Sequence, residues 1–288
     1  MGYIYLLLAV CFSAAIAIFA GFYNKKNKES KNANGIYNIL LSASATLTWL
    51  IIYLFDFSFD VGVLFYSLLY GLGYACFMVG MINAVKYGPV SLTSFMKQLS
   101  FVVVCIWFLI VKRRLPSTYE VLGIVLVVVA LYFCLNSDKD KKQKASLKWL
   151  LYVAMVFVGN AFCSIVQKYE KAAFDNQHGS LMMVFGVLFA FIFGLILYNK
   201  GDKSEWKQIA KKTGVFPVLA GMSSGLANLF ILLLMTTTLS ESLIYPGLAI
   251  GGLMVTTLFS VIGFKEKLRC SQWIGLIVGG VALVFLNL

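Results

Sequence analysis

Lys97 stands inside the apolar stretch 90–111, and it is the only one of the 24 lysines and arginines placed within such a stretch. An ammonium eight residues into a membrane helix lies ~12 Å from its end at 1.5 Å per residue. At that depth it costs at least ~2.5 kcal/mol, even on a lenient insertion scale. Thr93, Ser94 and Ser100 follow at i−4, i−3 and i+3. They make one polar stripe on an otherwise apolar helix, the pattern of a face that lines water. The chemistry this offers is electrostatic capture of an anion. No carboxylate lies inside an apolar stretch to pair with Lys97, so the expected counter-ion is the substrate. The competing reading is a lysine that snorkels to the headgroups.

Other polar groups could join it. Tyr66, Tyr70 and Tyr74 recur at i, i+4 and i+8 and share one helix face. They could line a cavity, stacking on a ring or donating hydroxyls, or simply pack between helices. Asn160, Gln167 and Asn228 are amides in apolar stretches and need partners there, supplied either by neighbouring helices or by substrate. Tyr245 completes the candidate set. Glu241 begins a helix on the opposite side of the membrane from the start of the Lys97 helix, so it reads as a helix N-terminal carboxylate favoured by the dipole rather than as the partner of Lys97.

Catalysis is not supported. The six cysteines (Cys11, Cys76, Cys105, Cys134, Cys163, Cys270) fall in or beside apolar stretches with no CxxC pair, and read as small packing residues. The single histidine, His178, sits in a connection as a solvated residue. With no Ser/His/Asp set, carboxylate pair or phosphate-binding glycine loop in the membrane, no enzyme, metal or cofactor is expected.

The elements that must position these residues follow from composition. Of 288 residues, 60% are hydrophobic and only 12% charged, about half the charged share of a soluble domain, and the mean hydropathy is +0.86. Disorder, collagen and disulfide scaffolds are excluded with it. Ten apolar runs of spanning length cover roughly 3–22, 36–55, 61–84, 90–111, 119–136, 149–167, 180–198, 215–239, 242–264 and 271–288. Their period is helical rather than the alternation of an outer-membrane barrel. The first run lacks a basic leader and reads as a retained helix. The expected fold is therefore an all-α polytopic membrane protein of ten transmembrane helices.

The net charge of +12 is topological. Odd-numbered connections carry 18 lysines and arginines and even-numbered ones carry 5. The positive-inside rule then makes the odd connections cytoplasmic and both termini external, and nucleic acid is not an expected partner. All twelve carboxylates, Glu170 and Glu266 included, fall in connections or at helix ends.

Residues 91–135 resemble 242–286. Each segment opens with Ser-Leu, passes a basic hinge, and enters a helix with a glycine step at Leu122-Gly123-Ile124 or Ile274-Gly275-Leu276. Upstream, Gly73-Tyr-Ala matches Gly225-Leu-Ala. Two five-helix halves are expected, 1–136 and 149–288, joined by a basic linker at 137–148. An odd helix count per half inverts the second copy, which places a substrate site near the midplane between them. Gly247-x-x-x-Gly251 and Gly275-x-x-x-Gly279 fit close helix approach, within the chain first and in a homodimer second.

The stretch Ala84-Val-Lys-Tyr-Gly-Pro-Val-Ser-Leu-Thr-Ser-Phe and the hinge Lys265-Glu266-Lys267-Leu268 resemble those of the drug/metabolite transporter superfamily, specifically its ten-helix EamA-type carriers. The first-half hinge, Lys112-Arg-Arg-Leu115, departs by lacking the usual glutamate. Val90-Ser-Leu-Thr-Ser-Phe-Met-Lys97 is similar to the fourth-helix motif of sugar-phosphate and nucleotide-sugar carriers, whose lysine meets substrate phosphate. The resemblance implies a secondary transporter of a bacterial plasma membrane, moving a small anionic metabolite, phosphorylated or carboxylate, by alternating access. Proton-coupled relatives use a first-helix glutamate; here that helix offers only Ser13, which points to exchange or facilitated flow. An exporter of amino acids or amphipathic metabolites is the alternative. A channel or receptor lacks the polar lining or the extramembrane domain it would need. Beyond substrate and lipid bilayer, the expected state is monomer or homodimer.

Overall fold

The computed structural model describes residues 2–27, 30, 32–111, 113, 115–135, 146–175, 177–198, 204–235, 237, 239 and 241–286. They form twelve helices. The first six are α1 (Gly2–Lys26), α2 (Ala33–Phe55), α3 (Val63–Tyr87), α4 (Val90–Leu99), α5 (Phe101–Val111) and α6 (Thr118–Leu135). The other six are α7 (Leu147–Phe174), α8 (Gly179–Tyr198), α9 (Ser204–Thr213), α10 (Val215–Met235), α11 (Glu241–Gly263) and α12 (Cys270–Phe285). Most of the linker 137–148 lies outside the described residues.

Seven spans are long and apolar enough to cross a membrane, with α4 and α5 counted as one, and α6, α11 and α12 supply shorter apolar helices. Large apolar side chains such as Phe55, Phe65, Ile110 and Ile262 are more than 60% exposed. An outer surface of this kind is stable against lipid, not water. Among the described residues this is an all-helical integral membrane protein.

The helices pack by backbone approach at small residues. α3 lies on α7 and α8, α10 on α1 and α2, α2 on α8, α6 on α12, and α4 on α11. A Cβ at Gly159 would fall 2.7 Å from the Phe77 nitrogen, and one at Gly80 would fall 2.8 Å from the Val156 nitrogen. On the other side of the molecule, Gly225 receives Thr48 and Gly221 the Leu41–Ala45 turn. Gly247 and Gly251 receive Leu6 and Val10 of α1, and Gly279 receives the Phe95 ring. Gly247, Gly251 and Gly279 therefore serve contacts within the chain.

Three local features differ from the sequence expectation. The fourth apolar stretch is two helices, broken at Ser100. There the Ser100 and Val103 N–H groups bond back three residues, to Lys97 and Ser100, and the Ser100 hydroxyl donates to the Lys97 carbonyl at 2.6 Å. A serine hydroxyl of this kind satisfies carbonyls that the helix releases, as a break in a membrane requires. α9 is an added short helix, with Ile209 and Thr213 buried and Lys207, Lys211 and Lys212 exposed. α7 continues past the expected end of its run, so Glu170 stands inside a helix, 2% exposed, with its Oε1 unpaired. Asp175 then ends α7 in the left-handed region at φ 49°, a conformation aspartate tolerates.

Three of the basic connections, 23–35, 85–89 and 199–214, meet at one end. Lys86 Nζ reaches the Ser30 carbonyl at 3.3 Å, the Ser30 hydroxyl donates to Glu205 at 2.9 Å, and the Asn27 amide donates to Thr213 at 3.0 Å. Asp56, Ser58, Gln177, His178 and Ser180 meet one another at a separate end of the helices. His178 is not free in solvent there: Nδ1 lies 2.9 Å from the Ser58 hydroxyl, and its ring stands edge-on to Phe174.

Candidate functional site

Four helices converge on the Lys97 side chain. α1 contributes Ser13, Ala14, Ile16 and Ala17; α3 contributes Phe77 and Met81; α4 contributes Ser94, Lys97 and Gln98; α11 contributes Gly252 and Thr256. They line a cavity of about 10 Å³, roughly room for one water. Lys97 Nζ donates to the Ser13 hydroxyl at 3.2 Å and stands 5.7 Å from the centre of the Phe77 ring. Among the residues lining the cavity Lys97 is the only charged one. Ser94 is 4% exposed, and its hydroxyl has no hydrogen-bond partner. A buried hydroxyl without a partner loses its hydration for nothing in return, and this one stands one turn from an ammonium on the same helix face.

The polar stripe on α4 divides. Ser94 and Lys97 line the cavity, whereas Thr93 and Ser100 turn to α7. The Trp149 indole donates to the Thr93 hydroxyl at 3.2 Å, and the Asn160 amide donates to the Ser100 hydroxyl at 2.7 Å. Asn160 thus braces the helix break directly behind Lys97. The tyrosines stand elsewhere, in the packing of α3. Tyr70 and Tyr74 stack at 5.9 Å, the Tyr74 hydroxyl pairs with Ser224 at 3.1 Å, and Tyr66 stands edge-on to Phe174. Asn228 donates to the Ser224 carbonyl at 2.9 Å, and the Gln167 amide reaches only the Met183 sulfur, at 3.9 Å. The side chains of Tyr245 and Glu241 lie outside what the structure describes.

Ser13, Phe77, Gln98, Gly252 and Thr256 were not among the sequence candidates. Thr256 and Ser260 repeat at i+4 on α11, a spacing that marks one polar face. The Oγ atoms of Thr257 and Ser260, like that of Ser94, are buried without partners. Hydroxyls therefore line α11 from the cavity toward the 265–269 hinge.

At that hinge Lys265 takes φ 56°, which turns the chain so that Glu266 faces the start of α4. Its Oε1 accepts the Val90 N–H at 2.6 Å, and its Oε2 accepts the Ser91 N–H at 3.3 Å and the Ser91 hydroxyl at 2.7 Å. The carboxylate caps two of the four N–H groups a helix start leaves open and sits at the positive end of the dipole. Pro89, preceding the helix, has no N–H to satisfy. Glu120 of the first-half hinge region instead caps its own helix, in a reciprocal pair with Ser117. Glu266→Ala leaves the α4 start uncapped, and is expected to lower stability by about 1–2 kcal/mol. A cysteine placed at Ser94 should then react several-fold faster with a water-soluble maleimide; an unchanged rate would separate the cap from closure of the α4–α11 seam.

No protein-family model matches the chain, and no curated protein is similar to it. Among solved structures, a crystal structure of a protein is similar at 12% identity with a TM-score of 0.55, covering 96% of this chain and 95% of that one. That likeness concerns the fold alone, and it extends over nearly the whole length of both chains.

Proposed function

We propose that this chain is a secondary carrier for a small anionic metabolite, working by alternating access with Lys97 as the charge anchor. The observation that carries the reading is the cavity. It holds the ammonium of Lys97, half-buried within an apolar span, with no carboxylate in its lining, beside a buried hydroxyl that has no partner within the protein. Both are groups that a bound anion would satisfy.

The architecture that goes with the reading is the ten-helix, two-inverted-repeat design of the drug/metabolite type, and the pattern of helix contacts supports it. Exchanging α1, α2, α3, α4–α5 and α6 for α7, α8, α10, α11 and α12 carries the packing of α3 on α7 and α8 onto that of α10 on α1 and α2. The pairs α2–α8, α4–α11 and α6–α12 map onto themselves. The midplane site of such a fold lies between the repeats, and α1, α3, α4 and α11 come from both. Opening on one side separates α4 from α11 and releases the Glu266 cap.

The test is counterflow. Protein in liposomes preloaded with one anion of a metabolite panel should accumulate the labelled form of that anion without an ion gradient. Absence of counterflow for every anion, with uptake of neutral or cationic compounds instead, rejects the reading.

The orientation goes with it: basic connections cytoplasmic, both termini external, in a bacterial plasma membrane. In a cysteine-free background, a cysteine at Ser58 should be labelled from outside intact cells, and one at Lys207 only after permeabilisation. The reverse pattern inverts the orientation and leaves the site unaltered.

A further inference from the structure

We infer that the Lys97 site takes a singly charged carboxylate and discriminates against doubly charged phosphate groups; this rests on the anion-carrier reading and narrows it. The argument is one of charge balance. Lys97 supplies the only formal charge among the residues lining the cavity. In a site widened to admit it, a monoanion balances the Lys97 charge, and a dianion leaves one negative charge without a counter-ion. The desolvation cost of an ion grows with the square of its charge, whereas its attraction to a single ammonium grows only in proportion. The rest of the lining holds no second positive charge: Ser13, Ser94, Gln98 and Thr256 are neutral, Ala14, Ile16, Ala17 and Met81 are apolar, and an aromatic face such as that of Phe77 repels negative charge.

The donors suffice for both oxygens of a carboxylate, since the Ser13 hydroxyl accepts from Lys97 and keeps its own proton to give. Lys97 has one proton on Ser13 and others to give. Ser94 has a free hydroxyl one turn away. The Thr256 hydroxyl is spent on the Gly252 carbonyl at 2.6 Å. A carboxylate bridging Lys97 and Ser94 satisfies both, with Gln98 beside it. Glu266, which caps the start of α4, is itself an anion and adds nothing positive.

The test uses the purified full chain in nanodiscs and titration calorimetry. The probes are acetate, butyrate and benzoate, set against propyl phosphate, each at pH 5.5 and pH 8. Across that interval the carboxylates stay singly charged, whereas a phosphate monoester passes through its second ionisation near pH 6. At least one carboxylate should bind at both pH values. Propyl phosphate, normalised to that carboxylate, should bind at least ten-fold more weakly at pH 8 than at pH 5.5. Lys97→Met should weaken each observed binding ten-fold or more. Propyl phosphate that binds at pH 8 as tightly as the best carboxylate, and depends on Lys97, overturns the charge inference and leaves the anion carrier standing. Binding of either class that is indifferent to Lys97→Met, or no binding of any probe, removes the anchor itself and both readings with it.

Discussion

Lys97→Met is expected to weaken binding of the proposed anionic substrate by ten- to a hundred-fold while thermal stability holds or rises. A hydrogen bond to a charged group contributes about 1.5–3 kcal/mol, which converts to that range of affinity. Methionine keeps most of the unbranched stem and its packing, so the variant isolates the charge. Stability moves the other way because the ammonium is desolvated at this site. Its compensation there is one contact to Ser13 at 3.2 Å and a distant ring face. Removing a buried charge that lacks an ionic partner relieves a cost. Lys97→Arg should retain part of the affinity. A lysine that only packs would give the opposite pair of results, a lower melting temperature and unchanged affinity per folded molecule. Calorimetry and thermal unfolding on one preparation decide between them.

The second large effect belongs to Gly159. A Cβ there meets the Phe77 nitrogen at 2.7 Å, the Gly73 carbonyl at 2.9 Å and the Phe77 Cα at 3.0 Å. These are backbone atoms that no rotamer change can move aside. Overpacking typically costs about 1–3 kcal/mol, so Gly159→Val should lie at the top of that range or beyond it. It should also push α3 from α7 at the residue whose ring forms one wall of the Lys97 cavity. Lower stability and weaker anion binding are therefore expected together. Gly280 is the control: nothing stands within 4 Å of its Cβ direction, and Gly280→Ala should be neutral or stabilise by up to about 1 kcal/mol through the helix backbone. If both variants unfold at the wild-type temperature, the close approach of α3 and α7 is not a determinant of the fold.

How far these features were legible in the sequence depends on their physical range. Spanning helices were, because a run of apolar residues acts through its own composition, and so was the isolation of Lys97. The break at Ser100 was not. Gln98 and Leu99 before it and Phe101 and Val102 after it give no local stop signal, and the interruption is held by Asn160 from a helix sixty residues away. Thr93 was misplaced for the same reason: a polar stripe shows which residues share a face, not whether that face meets a cavity or the Trp149 indole. Glu170 was read as a connection residue because its charge suggested an exit from the membrane, and the helix runs on through it. The hinge glutamate was visible as a motif, but its role as a cap for α4 needed the return of the chain at Lys265.

The contact between Trp149 and Thr93 gives the molecule an optical handle of its own. Trp149 is 3% exposed and hydrogen-bonded to the first turn of α4, so its excited state is dominated by a dry surrounding and one fixed hydroxyl. Any motion that draws the start of α4 away from α7 exchanges both for water. Indole emission follows such an exchange, so a chain in which Trp49, Trp107, Trp206 and Trp273 are replaced by phenylalanine reports motion of α4 in a bilayer without an added label.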